Sequence, residues 1–389
     1  MLRPTQAHID LDRLAANFKA LRAHHVRGRL MTVLKADGYG HGMLPAAHLL
    51  QSLGHDLFAV AIIEEAQALR ASGIGGRILV LGPPDAAQMP LYAQAGVEMT
   101  IPSLAHMDLL ARAGLEGETA IHIKVDTGMG RIGMRPGEVA EALRMAEAVR
   151  GVRVVGVYSH FAESEKLRGD YTGSQFQTLN SMREAVDPRG HMEWHVANSA
   201  GMLRDALYHL DYARVGFALW APMAFDPPQE APPVNSLLRP VMRLHTRVSF
   251  IKQAQGGETL GYSRTYTCGA GEWIATLPIG YGDGFFRGLS NRGQVWIGGR
   301  ACPIVGNVSM DQTLVSLGGT PAALGDEAVL MGDSAPGLDA AGMGRHAGTI
   351  DYEVFTHLNQ RIPRVFSYNG REGTDWREVL GLQDAPQSG

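Results

Sequence analysis

Cysteine is nearly absent. Cys268 and Cys302 are the whole complement, too few for a disulfide framework or a cysteine-built zinc centre. No apolar run is long enough to span a bilayer, and Met1 to His8 lacks the apolar core of a signal peptide. A cytoplasmic protein with no membrane partner is therefore expected. The formal net charge of −4 over 389 residues offers no excess positive charge for a nucleic acid to meet. The 15 histidines show no ligand spacing beyond adjacent pairs such as His24-His25, so no metal is expected. Solenoid repeats and low-complexity segments are also missing. What is present is a 45% hydrophobic chain with 48 glycines and 20 prolines, the composition of a turn-rich enzyme fold long enough for two domains, or a barrel with an appendage.

The first part of the chain alternates. Apolar runs that read as strands occur at Met31–Leu34, Leu57–Ala61, Ile78–Leu81, Glu98–Ile101, Ala120–Val125, Val154–Tyr158, Glu193–Val196 and Tyr212–Phe217. A helix over Asp10–Ala23 precedes the first, and segments with helical spacing separate the rest, from Leu44–Leu53 to Ala200–Leu207. Eight such units in about 220 residues match the period of a (β/α)8 TIM barrel. An open doubly wound sheet competes, but no G-x-G-x-x-G follows the first strand. Prolines 222, 227, 228, 232, 233 and 240 then interrupt the pattern. Beyond them Val241–Lys252, Ile274–Leu277, Gln294–Ile297, Pro303–Val308, Gln312–Leu317 and Ala328–Met331 read as strands, with a helix over Thr349–Leu358 and a polar last dozen residues expected to fray. The expected fold class is α/β: a TIM barrel over residues 1–235, followed by a mostly β C-terminal domain over 236–389.

Chemistry in a barrel sits where its strands end. Lys35 closes the first strand and is followed by Ala36-Asp37-Gly38-Tyr39-Gly40-His41-Gly42. A lysine in such a place either snorkels outward or pairs or does chemistry, typically as an imine with a carbonyl or with pyridoxal 5′-phosphate. The fifth strand ends in Lys124-Val125-Asp126-Thr127-Gly128-Met129-Gly130-Arg131, and the sixth in Tyr158-Ser159-His160-Phe161. The seventh ends in His195-Val196-Ala197-Asn198-Ser199-Ala200, and the eighth carries Arg214-Val215-Gly216-Phe217. Ser199 and Gly216 fall where barrels commonly hold phosphate. His160 alone could be a core histidine, and Ser199 alone a helix cap. Agreement among five strand ends favours a site for pyridoxal phosphate.

Lys35 to Gly42 resembles the cofactor-lysine signature of the alanine racemase family. The likeness continues through Lys124–Gly133, Ser159–Ala162, Asn198–Ala200, Arg214–Gly216, Gly261–Tyr266, Pro278–Gly284 and Met310–Gln312. It implies a pyridoxal phosphate-dependent barrel joined to a β domain, working as a homodimer with active sites shared across the interface. The reaction implied is the racemisation of a small amino acid, alanine, as a source of D-alanine for peptidoglycan precursors. By the same resemblance Lys35 carries the cofactor and acts as one base, and Tyr262 of the partner subunit acts on the opposite face. Arg214 and His160 lie by the cofactor ring, and Tyr39, Ser199, Gly216 and Phe217 at its phosphate. Arg131 and Met310 bind the substrate carboxylate, and Lys124 matches a position carbamylated in many relatives.

The chain departs from the family pattern at Asp37-Gly38, where Asn-Ala is usual, at Leu219-Trp220-Ala221, at Ser309 and at Gln360. Gln360 stands where many relatives have a gate tyrosine, which leaves room for serine or another small amino acid as substrate. A barrel decarboxylase would put an acid in place of Arg214 and lack the Tyr262 segment. A non-catalytic cofactor carrier would have no use for the β domain.

Overall fold

Each of the eight apolar runs expected as barrel strands is a strand in the computed structural model, which describes residues 3–115, 117–333 and 337–382. Arg29–Val33, Leu57–Val60, Arg77–Val80, Glu98–Ile101, Thr119–Lys124, Val152–Tyr158, Glu193–His195 and Tyr212–Val215 pair in parallel and close into one barrel. The closing pair joins the first strand to the eighth, with Met31 opposite Arg214. Strands covered on both faces need not alternate exposed with buried positions, and Leu57–Val60 and Glu98–Ile101 are accordingly buried at every position. The helices between them are amphipathic: Ile63–Ala71 buries Ile63, Ala66 and Leu69, and Val139–Glu147 buries Val139, Ala142 and Ala146. No helix among the described residues is long and apolar enough to cross a membrane.

The expectation of a division near residue 235 concerns chain order. In space the two compact units take turns along the chain: Leu14–Gly38 with Ala46–Arg239, and Met1–Arg13 with Tyr39–Pro45 and Pro240–Gly389. The second unit is built on a seven-stranded sheet in the order Arg300–Pro303, Gln294–Ile297, Glu327–Met331, Met242–Arg247, Gln6–Asp10, Arg364–Tyr368, Arg371–Gly373. Gln6–Asp10, not expected as a strand, sits near its middle, antiparallel to Met242–Arg247 and parallel to Arg364–Tyr368. A three-stranded sheet of Phe250–Gln253, Trp273–Leu277 and Thr313–Gly318 accompanies it.

Three expectations need correction here. Val241–Lys252 is two strands, because Val248 N–H donates to Asp326 and Ser249 N–H to Thr276, which sends the chain from one sheet into the other. The strand expected at Pro303–Val308 lies earlier, at Arg300–Pro303, since Gly306 takes a left-handed conformation (φ +73°) that ends extended pairing. The polar tail is ordered in part: Trp376–Leu380 is a helix capped by Asp375, while 383–389 lie outside the described residues. The helix expected at Thr349–Leu358 is present over Asp351–His357.

Within the barrel unit Asn17, fully buried on the helix Leu11–His24, ties that helix to the chain leaving the barrel. Its amide nitrogen donates to the carbonyls of Leu219 (2.9 Å) and Arg239 (2.8 Å), and its oxygen accepts from Arg239 N–H at 2.9 Å. Asn17→Ala strands one buried and two partly buried backbone groups, so urea unfolding is expected to show a loss of about 1–3 kcal/mol.

Candidate active site

Lys35 follows the strand Arg29–Val33 and is half-buried. Burial lowers its pKa from the usual lysine value, the charges of Arg131 and Arg214 lower it further, and Glu65 pulls the other way. Glu65 itself is engaged by the backbone: one oxygen accepts from Ala36 N–H at 2.6 Å and the other from Ala61 N–H at 2.8 Å. It thereby clamps the ends of the first two barrel strands together. Nothing in the sequence marks Glu65 for this, since it reads as one of two acids in the first turn of a helix.

The turn after Lys35 is left-handed. Ala36, Asp37, Gly38 and Tyr39 have φ of 53, 52, 60 and 55° in succession, a conformation that costs a residue with a side chain roughly 1–2 kcal/mol. Gly38 N–H donates back to Leu34 at 2.8 Å and closes the turn.

Arg214 is buried under the same end of the barrel. Its Nη1 donates to His195 Nδ1 (2.8 Å), and its Nη2 donates to the Ser159 carbonyl (2.7 Å), His160 Nδ1 (3.1 Å) and the Val196 carbonyl (3.2 Å). Burial lowers its pKa to about 10, so it stays charged at neutral pH. His160 and His195 are held well below the ordinary imidazole value, first by burial and then by Arg214. Lys124 Nζ lies 4.7 Å and the Arg214 guanidinium carbon 5.0 Å from the centroid of the Tyr158 ring.

Lys124 is buried and its Nζ has no hydrogen-bond partner among the described residues. Burial, Arg214 and Arg131 together push its pKa well below the lysine value. Arg131 is exposed, on a loop organised by Asp126, whose Oδ1 accepts from the N–H groups of Gly128 (2.8 Å) and Gly130 (3.1 Å).

Ser199 opens the helix Ser199–Arg204, capped by the Asn198 side chain. Its Oγ accepts from Gly216 N–H at 3.0 Å and Ala218 N–H at 3.3 Å. Two amides thus meet at one hydroxyl. Ala218 joins Ser199 and Gly216 in this set; the Phe217 side chain is buried.

Lys35, Lys124, Arg131, His160, Ser199, Arg214, Gly216 and Phe217 thus all belong to the barrel unit. Tyr39, Tyr262, Met310 and Gln360 belong to the other. There Tyr39 is buried, its ring 6.3 Å from that of Tyr352. Tyr262 is 72% and Met310 53% exposed. Tyr262 rides on a turn in which Ser263 and Arg264 have positive φ, and its carbonyl accepts from Asn307 Nδ2 at 2.8 Å. The Met310 carbonyl accepts from Gly282 N–H at 2.8 Å. Among the described residues no group of three or more His, Cys, Asp or Glu is arranged to hold a metal ion.

A half-buried lysine of lowered pKa, a buried guanidinium and a serine hydroxyl bonded by two amides thus lie at the C-terminal end of a TIM barrel, in a chain that continues into a β unit. The alanine racemase N-terminal domain model matches residues 9–223, and the C-terminal domain model 241–366. The chain is 39% identical over 373 residues to the alanine racemase of Desulfovibrio desulfuricans, covering 94% of this chain and 98% of that one. It is 38% identical to the alanine racemase of Symbiobacterium thermophilum, with 94% and 97% coverage. Alanine racemase from Bacillus anthracis, solved with bound L-Ala-P, superposes with a TM-score of 0.89 at 32% identity, covering 96% of this chain and 97% of that one. The chain belongs to the alanine racemase family and is an isomerase.

An amine whose folded pKa lies below its unfolded value binds fewer protons folded than unfolded, so its burden on stability eases as pH rises toward the ordinary lysine value. Lys124→Met is accordingly expected to stabilise the protein at pH 7 in CO2-free buffer, by on the order of 1–3 kcal/mol. Thermal melts should show that gain shrinking steadily as the pH approaches about 10.

Proposed function

We propose that this chain interconverts L- and D-alanine with pyridoxal 5′-phosphate, in a homodimer whose active sites are shared between subunits. The observation that carries the reading is Lys35: an amine with lowered pKa on the same barrel end as Arg214, His160 and the Ser199 cradle. The donor set fits the cofactor, with an amine for its aldehyde, amides and a hydroxyl for its phosphate, and a guanidinium for its ring nitrogen. When bound, pyridoxal phosphate supplies an electron sink that makes the α-hydrogen of an amino acid removable.

The residues of the chain do the rest. Lys35, being easily deprotonated, takes or returns the α-proton on one face. Racemisation needs a second group on the opposite face, because a proton removed from one side must come back from the other. Tyr262 of the partner subunit is that group, and its exposure in the single chain supports the assignment. Arg214 has donors only and stays charged, so it keeps the ring nitrogen unprotonated. This limits the electron sink and suppresses side reactions. Arg131 pairs with the substrate carboxylate, joined by the Met310 N–H of the partner subunit. Tyr39 would help hold the phosphate. Lys124 is a carbamate in the working enzyme: its neutral amine adds to CO2, a C–N bond forms, a proton leaves, and the new carboxylate pairs with Arg131. On this reading the enzyme is cytoplasmic and supplies D-alanine for peptidoglycan precursors.

Lys35→Ala and Tyr262→Phe are each expected to abolish racemisation, measured as α-proton exchange of L-alanine in D2O, and Lys35→Ala should also remove the visible absorbance of the bound cofactor. Mixed and re-dimerised, the two inactive proteins should regain about a quarter of wild-type activity, since half the dimers are hybrids with one intact site. No recovery on mixing would defeat the shared site.

A second reading is favoured by Gln360, which lies exposed in a turn held by Asn359, bonded to the Gly282 carbonyl at 2.9 Å, and by Arg361, bonded to Asp311 at 2.7 Å. With an amide where relatives carry a gate phenol, serine is turned over beside alanine. Gln360→Tyr should lower the ratio of kcat/KM for serine to that for alanine by about tenfold. An unchanged ratio sinks this reading.

A further inference from the structure

A file of side chains crosses the barrel interior from Arg214 to the far end. His195 Nε2 is 3.1 Å from His122 Nδ1, and His122 Nε2 is 2.9 Å from Glu98 Oε2. Both imidazoles are fully buried and Glu98 nearly so. Glu98 opens the strand Glu98–Ile101, at the barrel end opposite Lys35. There Arg77 grips it through Nε (2.5 Å) and Nη2 (3.2 Å), while the same guanidinium donates to Glu193 (2.9 and 2.7 Å) and the Tyr212 hydroxyl (2.6 Å).

The two ends of this file dictate its protons. Arginine has no acceptor, so His195 Nδ1, which faces Arg214 Nη1, carries a lone pair and the His195 proton is on Nε2. That N–H points at His122 Nδ1, which must accept, and the His122 proton is then on Nε2. It ends on Glu98, a carboxylate. Burial pushes the Glu98 pKa up, but the hydrogen bonds from His122 and Arg77 outweigh it and hold it at about 2. The reverse arrangement would set two donors head to head at the 2.8 Å contact between Arg214 and His195.

We infer that Glu98 is a positioning residue for the active site: through His122 and His195, in one fixed hydrogen-bond direction, it orients the Arg214 guanidinium. Among the described residues no carboxylate bonds Arg214 directly; its other partners are two carbonyls and His160. Glu98 is therefore the acid that faces this buried cation, at two imidazoles' remove. Each link polarises the next, which strengthens the file beyond its separate bonds. Without Glu98, His122 is free to carry its proton on Nδ1, His195 loses its acceptor, and the guanidinium loses its Nη1 partner. The consequence for catalysis rests on the proposed reading that Arg214 faces the ring nitrogen of pyridoxal phosphate.

The test has two arms. Neutron diffraction from crystals of the wild-type protein, with and without pyridoxal phosphate, should show deuterons on Nε2 of His122 and His195 and none on either Nδ1. A deuteron on Nδ1 of either ring overturns the inference. In the cofactor-loaded enzyme, Glu98→Ala and His122→Leu should each lower kcat for alanine about tenfold, the order for one hydrogen bond to a charged group. KM should stay within about twofold, and conversion of the cofactor to its amine form, followed by loss of visible absorbance, should accelerate. His122→Asn, which puts an amide oxygen near the place of Nδ1, should recover most of the loss. Equal impairment of His122→Leu and His122→Asn, or wild-type kcat in His122→Leu, overturns the inference. The deuteron positions can be read whether or not the wild type racemises alanine, so failure of the assigned reaction and failure of this inference give different results.

Discussion

Positive charge crowded into one end of a barrel is the constraint on which the site depends. Arg131 and Arg214 act on both Lys35 and Lys124 there, and the acids that act on these lysines, Glu65 and Asp126, also bond backbone amides. Glu65 bonds the amides that end two strands, and Asp126 bonds those of the glycine loop. Glu65 and Asp126 offset this crowding only in part, since burial and the two arginines outweigh them at Lys35 and Lys124. Burial and the neighbouring guanidinium groups accordingly lower the pKa of Lys35, Lys124, His160 and His195 from their usual values. A neutral amine is the form in which lysine is a nucleophile or a base. The reactivity assigned to Lys35, and the capture of CO2 assigned to Lys124, thus have one electrostatic origin.

The turn that follows Lys35 gives physical meaning to a departure from the family pattern. Four successive left-handed residues are unfavourable for L-amino acids. Glycine at position 38 removes the steric part of that cost where alanine is usual. Aspartate at 37 is, like asparagine, among the few side chains that tolerate the region. The Ala36–Glu65 bond and the Gly38–Leu34 bond then hold the remaining strain in place. Asp37-Gly38 therefore reads as an easing of backbone strain beside the reactive amine.

Much of this was legible in the sequence because a parallel barrel collects its chemistry at strand ends, and strand ends can be found from apolar runs alone. Lys35, Lys124, His160, Ser199 and Arg214 were each found that way, and all belong to the barrel unit. Gln6–Asp10 escaped because one of its partners, Arg364–Tyr368, lies at the other end of the chain, and its alternation is too short to stand out. Val241–Lys252 read as one strand because a change of sheet leaves no mark on hydrophobicity. Glu65 looked like an ordinary acid opening a helix. Glu98, His122 and His195 did carry a signal, since ionisable groups are rare inside strands buried on both faces. The signal says that such residues are paired, but only coordinates can say with which partner.

That pairing explains why the barrel tolerates polar groups where apolar ones would pack more cheaply. One part of the interior is conventional, with Met31, Val33, Leu57, Ala59 and Leu79 clustered against Tyr212. Elsewhere the file runs from Arg77 and Glu98 through two imidazoles to Arg214. Replacing buried ion pairs by hydrophobic residues is often neutral or stabilising, so stability alone does not account for it. Apolar packing also has no direction: it could support the Arg214 side chain without specifying which way its hydrogens point. A hydrogen-bonded file with a carboxylate at one end and a guanidinium at the other admits a single arrangement of protons. For a cation whose assigned task is to face one ring nitrogen and withhold its protons, that uniqueness of orientation is what the buried polar groups supply.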